Sequence, residues 1–239
     1  MIYTQEFKLT LEDIDKNAYI TNKAILRCFE NTATYHSDSV GGGIKAVEET
    51  GLSWIVLDWR VEVIKRPKYN EKIKVRTWSR GIQKFFAFRD YELINDKNEI
   101  LAIGTSKWVL MDINKNRMVV LNDEHMAKYE SEDRPVFQDE ELPKIEMPQE
   151  FSNEINYTVM RKDIDFNKHM HNLYHFDLAY EVLPDELYDN SIFDNFRITY
   201  KKEIKLGETV TCKYSSLEDK NVVVINDLEG NTKSLIKLW

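Results

Sequence analysis

Fifteen residues, Arg161 to His175, concentrate the groups of this chain that can do chemistry. They hold Asp163 and Asp165, Asn167 and Asn172, and three of the five histidines: His169, His171 and His175. Carboxylates and imidazoles this close together can relay a proton, an amide can receive a developing negative charge, and clustered histidines can hold a metal. In an extended segment Asp165, Asn167 and His169 fall on one side, since alternate residues of a strand share a face.

The spacing His169-x-His171-x-x-x-His175 is one that zinc accepts. It requires the helix to begin before Asn172, so that His171 and His175 share a face. No cysteine pair stands nearby to complete a ligand set. Neither a metal nor another cofactor is therefore expected.

Two elements must position the cluster. From Glu154 to Met160, Ile155, Tyr157 and Val159 alternate with polar neighbours, the period of a half-buried strand. Leu173, Phe176, Tyr180 and Leu183 recur at three- and four-residue steps, as on one face of a helix. The cluster thus sits where a strand hands over to a helix, a junction whose free N–H groups can bind an anion or polarise a carbonyl.

Ahead of it the chain reads as a strand from Phe7 to Leu11 and a helix capped by Thr21 or Asn22. That helix carries Ile25, Cys28, Phe29, Thr32, Ala33 and His36 on one stripe. Gly41–Gly43 ends it, and a short helix over Ile44–Thr50 follows. Strands are predicted over Ser53–Ile64, Lys72–Arg80, Phe85–Ile94 and Ile100–Met111, then a helical piece from Asp123 to Tyr129. An acidic stretch with Pro135, Pro143 and Pro148 reads as a linker rather than a core element. Beyond the cluster, strands are predicted over Ser191–Lys202, Glu208–Ser215, Asn221–Leu228 and Ser234–Trp239.

The halves repeat. Asp13-Ile-Asp-Lys-Asn17 returns 150 positions later as Asp163-Ile-Asp-Phe-Asn167, and Asn22 matches Asn172. Trp59 to Arg66 lines up with Phe196 to Glu203 at an offset of 137, because the first half carries the extra Gly41–Gly51 segment. A strand, a helix and a run of strands, repeated, predict an α+β protein in which two antiparallel sheets each wrap a long helix. The units are expected at 1–130 and 151–239, joined by a linker at 131–150.

Asp-x-Asn in both halves has a plain structural explanation, since both need the same strand-to-helix turn. Asn17, if it caps that turn, is worth roughly 0.5–2 kcal/mol. The shared motif does not explain why His169 stands where the first half has Tyr19, or Glu203 where it has Arg66. Glu203 also has an ordinary reading, as a solvated charge on the polar face of the strand whose apolar face is Phe196, Ile198, Tyr200 and Ile204. Only a cleft on that side, between the units, gives it work.

Asp165-Phe-Asn-Lys-His169, Asn172 and Tyr200-Lys-Lys-Glu203 together resemble the acyl-acyl carrier protein thioesterases of bacteria and plant plastids. The resemblance covers essentially the whole chain and implies a tandem, or double, hotdog fold. It also implies hydrolysis of the thioester joining a fatty acyl chain to acyl carrier protein, with Asn167, His169 and Glu203 catalytic and Asp165 orienting them. One departure is plain: plant members often have a cysteine directly after the glutamate, and here that position is Ile204. Water attack then accounts better for the reaction than a cysteine nucleophile. Either Glu203 or His169 can serve as the principal base, and a covalent acyl-Glu203 route is also chemically open. An acyl-CoA thioesterase or another hotdog acyl enzyme, such as a dehydratase of carrier-bound acyl groups, and a non-catalytic acyl-binding regulator are the alternatives.

The partner implied is acyl carrier protein, for which Arg161, Lys162, Lys201, Lys202 and Lys205 offer a local basic landing area; a homodimer is left open. A net charge of −8 opposes wholesale nucleic-acid binding. No window approaches the ~20 apolar residues of a membrane span. Met1 to Lys8 shows no signal peptide, and two cysteines, Cys28 and Cys212, suit a reducing compartment. A cytoplasmic protein is expected.

Overall fold

Helix α1 (Asn22–Ser39) is the axis of the first unit in the computed structural model, which describes residues 1–139, 142–217 and 220–239. Thr21 starts it by accepting the N–H of Ala24 at 3.1 Å, one of the orphan donors of a helix end. Its stripe of Ile25, Cys28, Phe29, Thr32, Ala33 and His36 is wholly buried. The antiparallel sheet it packs on runs in the order β1 (Tyr3–Lys8), β3 (Lys72–Gln83), β4 (Phe86–Asn95), β5 (Ile100–Asp112) and β2 (Leu52–Val63). Two-residue β6 (Arg117–Met118) hangs on β5, and α2 (Ile44–Thr50) and α3 (Asp123–Ala127) complete the unit.

Phe29 joins helix and sheet. Its ring stacks on Tyr91 with centroids 4.9 Å apart and lies over Gly104, where a Cβ would come within 2.6 Å of the ring. Glycine on β5 is what lets the helix sit this close.

In the second unit the sheet order is β8 (Asn195–Tyr200), β11 (Thr232–Leu238), β10 (Lys220–Asp227), β9 (Thr209–Leu217) and β7 (Asn153–Thr158), again antiparallel. Its helix α4 (Tyr174–Glu181) has eight residues, with Leu173 and Leu183 buried just beyond its ends. Phe176 meets Phe196 edge to face at 4.9 Å. A further helix, α5 (Asp185–Asn190), has no counterpart in the sequence reading, because six residues are fewer than two turns and show no usable period.

Two strands stop short of expectation where a polar contact turns the chain away. The first strand ends at Lys8, since the Asp13 carboxylate turns back onto the Thr10 N–H and hydroxyl, each at 2.8 Å, and winds Leu11–Asp13 into a 3-10 turn. The strand expected over Ser191–Lys202 is only β8, because the Lys201 and Lys202 N–H groups both turn to the carbonyl of Lys233. The chain divides into compact units Met1–Leu142 and Pro143–Trp239, so the boundary lies within the proline-bearing segment. That segment has no helix or strand among its described residues, yet it is not a free tether. Phe137 is buried in the first unit beneath the Arg60 guanidinium, and Ile145 joins Val222, Val224 and Leu235 in a core cluster of the second.

Candidate active site

The polar cluster is built on a tight turn, not on an extended strand. Asp165 and His169 face each other across it, with the Asp165 N–H donating to the His169 carbonyl at 2.9 Å. The Asp165 carboxylate caps the turn from inside, accepting the N–H groups of Asn167 at 2.8 Å and His169 at 3.3 Å. Lys168 takes the left-handed conformation at φ +65, which closes the turn. The three residues expected on one strand face are therefore arranged by the turn itself, because an Asp side chain offers the backbone a better partner than a ladder would.

A buried carboxylate anchors the turn from behind. Asp163 accepts the Tyr157 hydroxyl at 2.6 Å, the Met160 N–H at 2.8 Å and the Lys162 ammonium at 3.0 Å. Burial pushes its pKa up, but these hydrogen bonds outweigh burial and hold it below the usual carboxylate range. Its carbonyl accepts the N–H of His171, so both ends of the loop are tied to one residue.

Glu203 lies just beyond β8, in the loop before β9, and not on the strand as its alternation suggested. A backbone bridge pairs His169 with Lys205, and Met170 donates to the Ile204 carbonyl at 2.8 Å. The loop is thereby laid along the turn, and the side chains meet. His169 Nε2 is 3.1 Å from Glu203 Oε2, and Lys205 Nζ is 3.0 Å from Glu203 Oε1. A carboxylate only accepts, so His169 donates from Nε2–H, and in the neutral imidazole the other ring nitrogen, Nδ1, carries the lone pair. The Lys205 hydrogen bond, working against partial burial and joined by the charges of His169, Lys205 and Lys233, keeps the Glu203 carboxyl below its ordinary pKa.

The first unit has the same frame without the chemistry. Asp15 caps its turn by accepting the N–H groups of Asn17 and Tyr19, both at 2.9 Å, and Ala18 repeats the left-handed φ at +64. Tyr19 bridges Lys68, and Ile20 donates to the Pro67 carbonyl at 2.9 Å, as Met170 does to Ile204. In place of an imidazole against a carboxylate, the Lys68 ammonium lies over the Tyr19 ring at 4.8 Å. Arg66, standing where the second unit has Glu203, is spent on the Ile20 carbonyl and the Asn22 side chain.

The remaining groups separate cleanly. Asn167 and Asn17 are both exposed, and neither amide makes a hydrogen bond among the described residues. The capping expected of Asn17 is done by Asp15 instead. The three histidines have different partners. His169 faces Glu203, His171 Nδ1 accepts the Leu173 N–H at 3.2 Å, and buried His175 pairs its Nδ1 with the Ser234 hydroxyl at 2.8 Å. Desolvation lowers the His175 pKa to about 4, with the His171 charge adding to the effect. Cys28 and Cys212 are buried thiols whose pKa desolvation raises to about 12, so both are protonated and inert at neutral pH. Of the basic residues beside the site, Lys162 is tied to Asp163 and Lys205 to Glu203, while Arg161, Lys201 and Lys202 are exposed. The direct contact of Lys205 with Glu203 was missed in the sequence, where the only signal is that Lys205 matches Lys68.

The comparisons with known proteins agree with this duplicated frame. The family model described as Acyl-ACP thioesterase N-terminal domain matches residues 1–129, and that described as Acyl-ACP thioesterase C-terminal domain matches residues 146–236. The oleoyl-acyl carrier protein thioesterase 1 of Arabidopsis thaliana chloroplasts is 24% identical over 97% of this chain and 69% of its own length. Among solved structures, the 12:0-ACP thioesterase of Umbellularia californica superposes with a TM-score of 0.89 at 19% identity, covering 99% of this chain and 96% of that one. An acyl-ACP thioesterase of Bacteroides thetaiotaomicron gives 0.84 at 20% identity, with 99% and 96% covered. These likenesses carry the double hotdog fold, and the two family matches, one to each half, carry the rest: the chain belongs to the acyl-ACP thioesterase family.

Proposed function

We propose that this chain hydrolyses the thioester of fatty acyl groups on acyl carrier protein, and that it does so at the His169–Glu203 pair of the second unit. The observation that supports this reading is the 3.1 Å contact between those side chains, at a turn whose twin in the first unit holds Tyr19 and Arg66 instead. Glu203, with two cationic neighbours and a depressed pKa, is a weak base by itself. It fits better as the group that holds the His169 Nε2–H and stabilises the imidazolium, while Nδ1 takes the proton of the attacking water. The Asn167 amide, unspent among the described residues, is the donor for the oxyanion that forms on the thioester carbonyl. Asp165 acts through the backbone, fixing where Asn167 and His169 stand. The tetrahedral intermediate then expels the carrier's thiolate, a good leaving group that the imidazolium can protonate.

Lys201, Lys202 and Arg161 beside the site suit an acidic carrier protein. Two buried, protonated thiols suit a reducing cytoplasm.

The test is hydrolysis of acyl chains of graded length, presented on carrier protein and on CoA. Turnover on the carrier is expected to exceed turnover on CoA, and Glu203→Gln and His169→Ala should each lower kcat by about 10²–10⁴-fold. If the two act as one unit, the double variant is no worse than the poorer single one. Near wild-type turnover in folded Glu203→Gln would remove Glu203 from the mechanism.

A further inference from the structure

The loop that carries Glu203 is spanned by one lysine. Lys233, at the second residue of β11, is only 8% exposed. Its carbonyl accepts the Lys201 N–H at 2.8 Å and the Lys202 N–H at 3.2 Å, which is how β8 gives way to the loop. Its ammonium reaches under the same loop and donates to the Glu203 carbonyl at 3.3 Å and to Glu208 Oε2 at 3.4 Å, with Asp227 Oδ2 at 3.7 Å. One side chain thus ties the middle of the loop to its exit, while its own backbone ties the entrance.

The first unit shows what this position needs for folding alone. There the carbonyl that accepts the paired N–H groups, Ile64 at 2.8 Å and Lys65 at 3.0 Å, belongs to Leu101, itself buried at 2% exposure. A leucine therefore suffices to turn the strand. Burying an ammonium in its place is unfavourable unless it is paired and hydrogen-bonded. The second unit meets that condition with Glu208 and Asp227, and aims the remaining donor at the backbone of Glu203. The lysine occurs in the copy where Arg66 has become Glu203 and Tyr19 has become His169.

We infer that Lys233 is a positioning residue for thioester hydrolysis: by holding the Glu203 carbonyl it fixes the loop so that the Glu203 carboxylate meets His169. The inference rests on the reading that this pair carries the reaction. It also assigns Lys233 an electrostatic share: Glu203 faces His169 and Lys205 and feels Lys233, while Glu208 and Asp227 pair with Lys233 and Glu208 also acts on Lys205. Taking away Lys233 removes a cation that favours the ionised carboxylate.

The test compares Lys233→Met and Lys233→Arg with the wild type on acyl carrier protein substrate, recording kcat, KM, the pH profile of kcat/KM and Tm. Lys233→Met is expected to lower kcat by about 10–10²-fold with KM within about twofold, the scale of a reacting group displaced by an ångström. The acid limb of its profile should move to higher pH, because the His169–Glu203 pair loses a neighbouring cation. Lys233→Arg should restore most of the rate. A folded Lys233→Met with wild-type kcat and an unmoved acid limb overturns the inference. If Lys233→Met does not fold, Glu208→Gln loosens the same clamp with the cation kept: a severalfold fall in kcat at unchanged Tm supports the inference, and wild-type kcat overturns it. Glu203→Gln is run alongside. If it is fully active, the active-site reading itself has failed, whatever Lys233 does.

Discussion

At the scale of single residues, the two Asp-x-Asn turns separate what is chemical from what is architectural. Asp165 and Asp15 are both consumed in capping their own turns, whereas the amides of Asn167 and Asn17 touch nothing among the described residues. Asn167→Ala is therefore expected to lower turnover by about 10²–10³-fold, the cost of one oxyanion donor, with little change in melting temperature. Asn17→Ala should leave activity intact and shift stability by no more than about 0.5 kcal/mol, as an exposed substitution away from any cap. Measuring turnover and Tm for both variants decides; equal catalytic losses would mean a working site in each unit. The replacement of Tyr19 by His169 and of Arg66 by Glu203 was legible in the sequence, because duplication supplies an internal comparison. That Asp rather than Asn holds the turn was not, since either residue type can cap a turn and only the hydrogen bonds tell which does. Lys233 was illegible for another reason: the Glu203 carbonyl it holds lies thirty residues away in sequence.

At the scale of elements, alternation and helical period located the strands and α1 well, because each buries one face against a core. They failed where local polar contacts overrule periodicity. The Asp13 carboxylate ends β1 early, the carbonyl of Lys233 ends β8 early, and α5 is too short to show a period. The proline-bearing segment misled in the other direction. Its composition is that of a tether, yet Trp78 donates from Nε1 to the Arg134 carbonyl at 2.9 Å and Phe137 is buried. Gly104 carries the prediction at this scale. Its alanine variant would drive a methyl to 2.6 Å from the Phe29 ring and should destabilise the protein by about 1–3 kcal/mol, the usual range for overpacking. Denaturant titration would show it as a lower midpoint at unchanged slope. A midpoint equal to wild type would mean that α1 can lift away from β5 freely.

At the scale of the whole molecule, each unit keeps a buried histidine that must stay neutral. His36 accepts a hydrogen bond from Arg89 on Nδ1, and desolvation followed by the Arg89 charge lowers its pKa to about 3. His175, buried against Ser234, is lowered to about 4. Both native values lie below the ordinary 6.5, so between pH 6.5 and 4 the unfolded chain binds protons that the native chain refuses, and stability falls as pH falls. Above pH 6.5 this contribution is constant. The urea midpoint should therefore be lower at pH 5 than at pH 7, and His175→Gln should flatten the difference. A midpoint independent of pH across that interval would show that neither ring is held neutral. One further consequence follows from the capped turn at Asp165 to His169. Its shape is stored in a carboxylate, two N–H groups and a bridge to Lys205, all of them inward or backbone, while Phe166 and Lys168 stand exposed at its tip. The reactive geometry and the outward face of the turn are thus inherited separately. The tip residues can therefore be exchanged while the capped backbone keeps His169 and Glu203 at their distance.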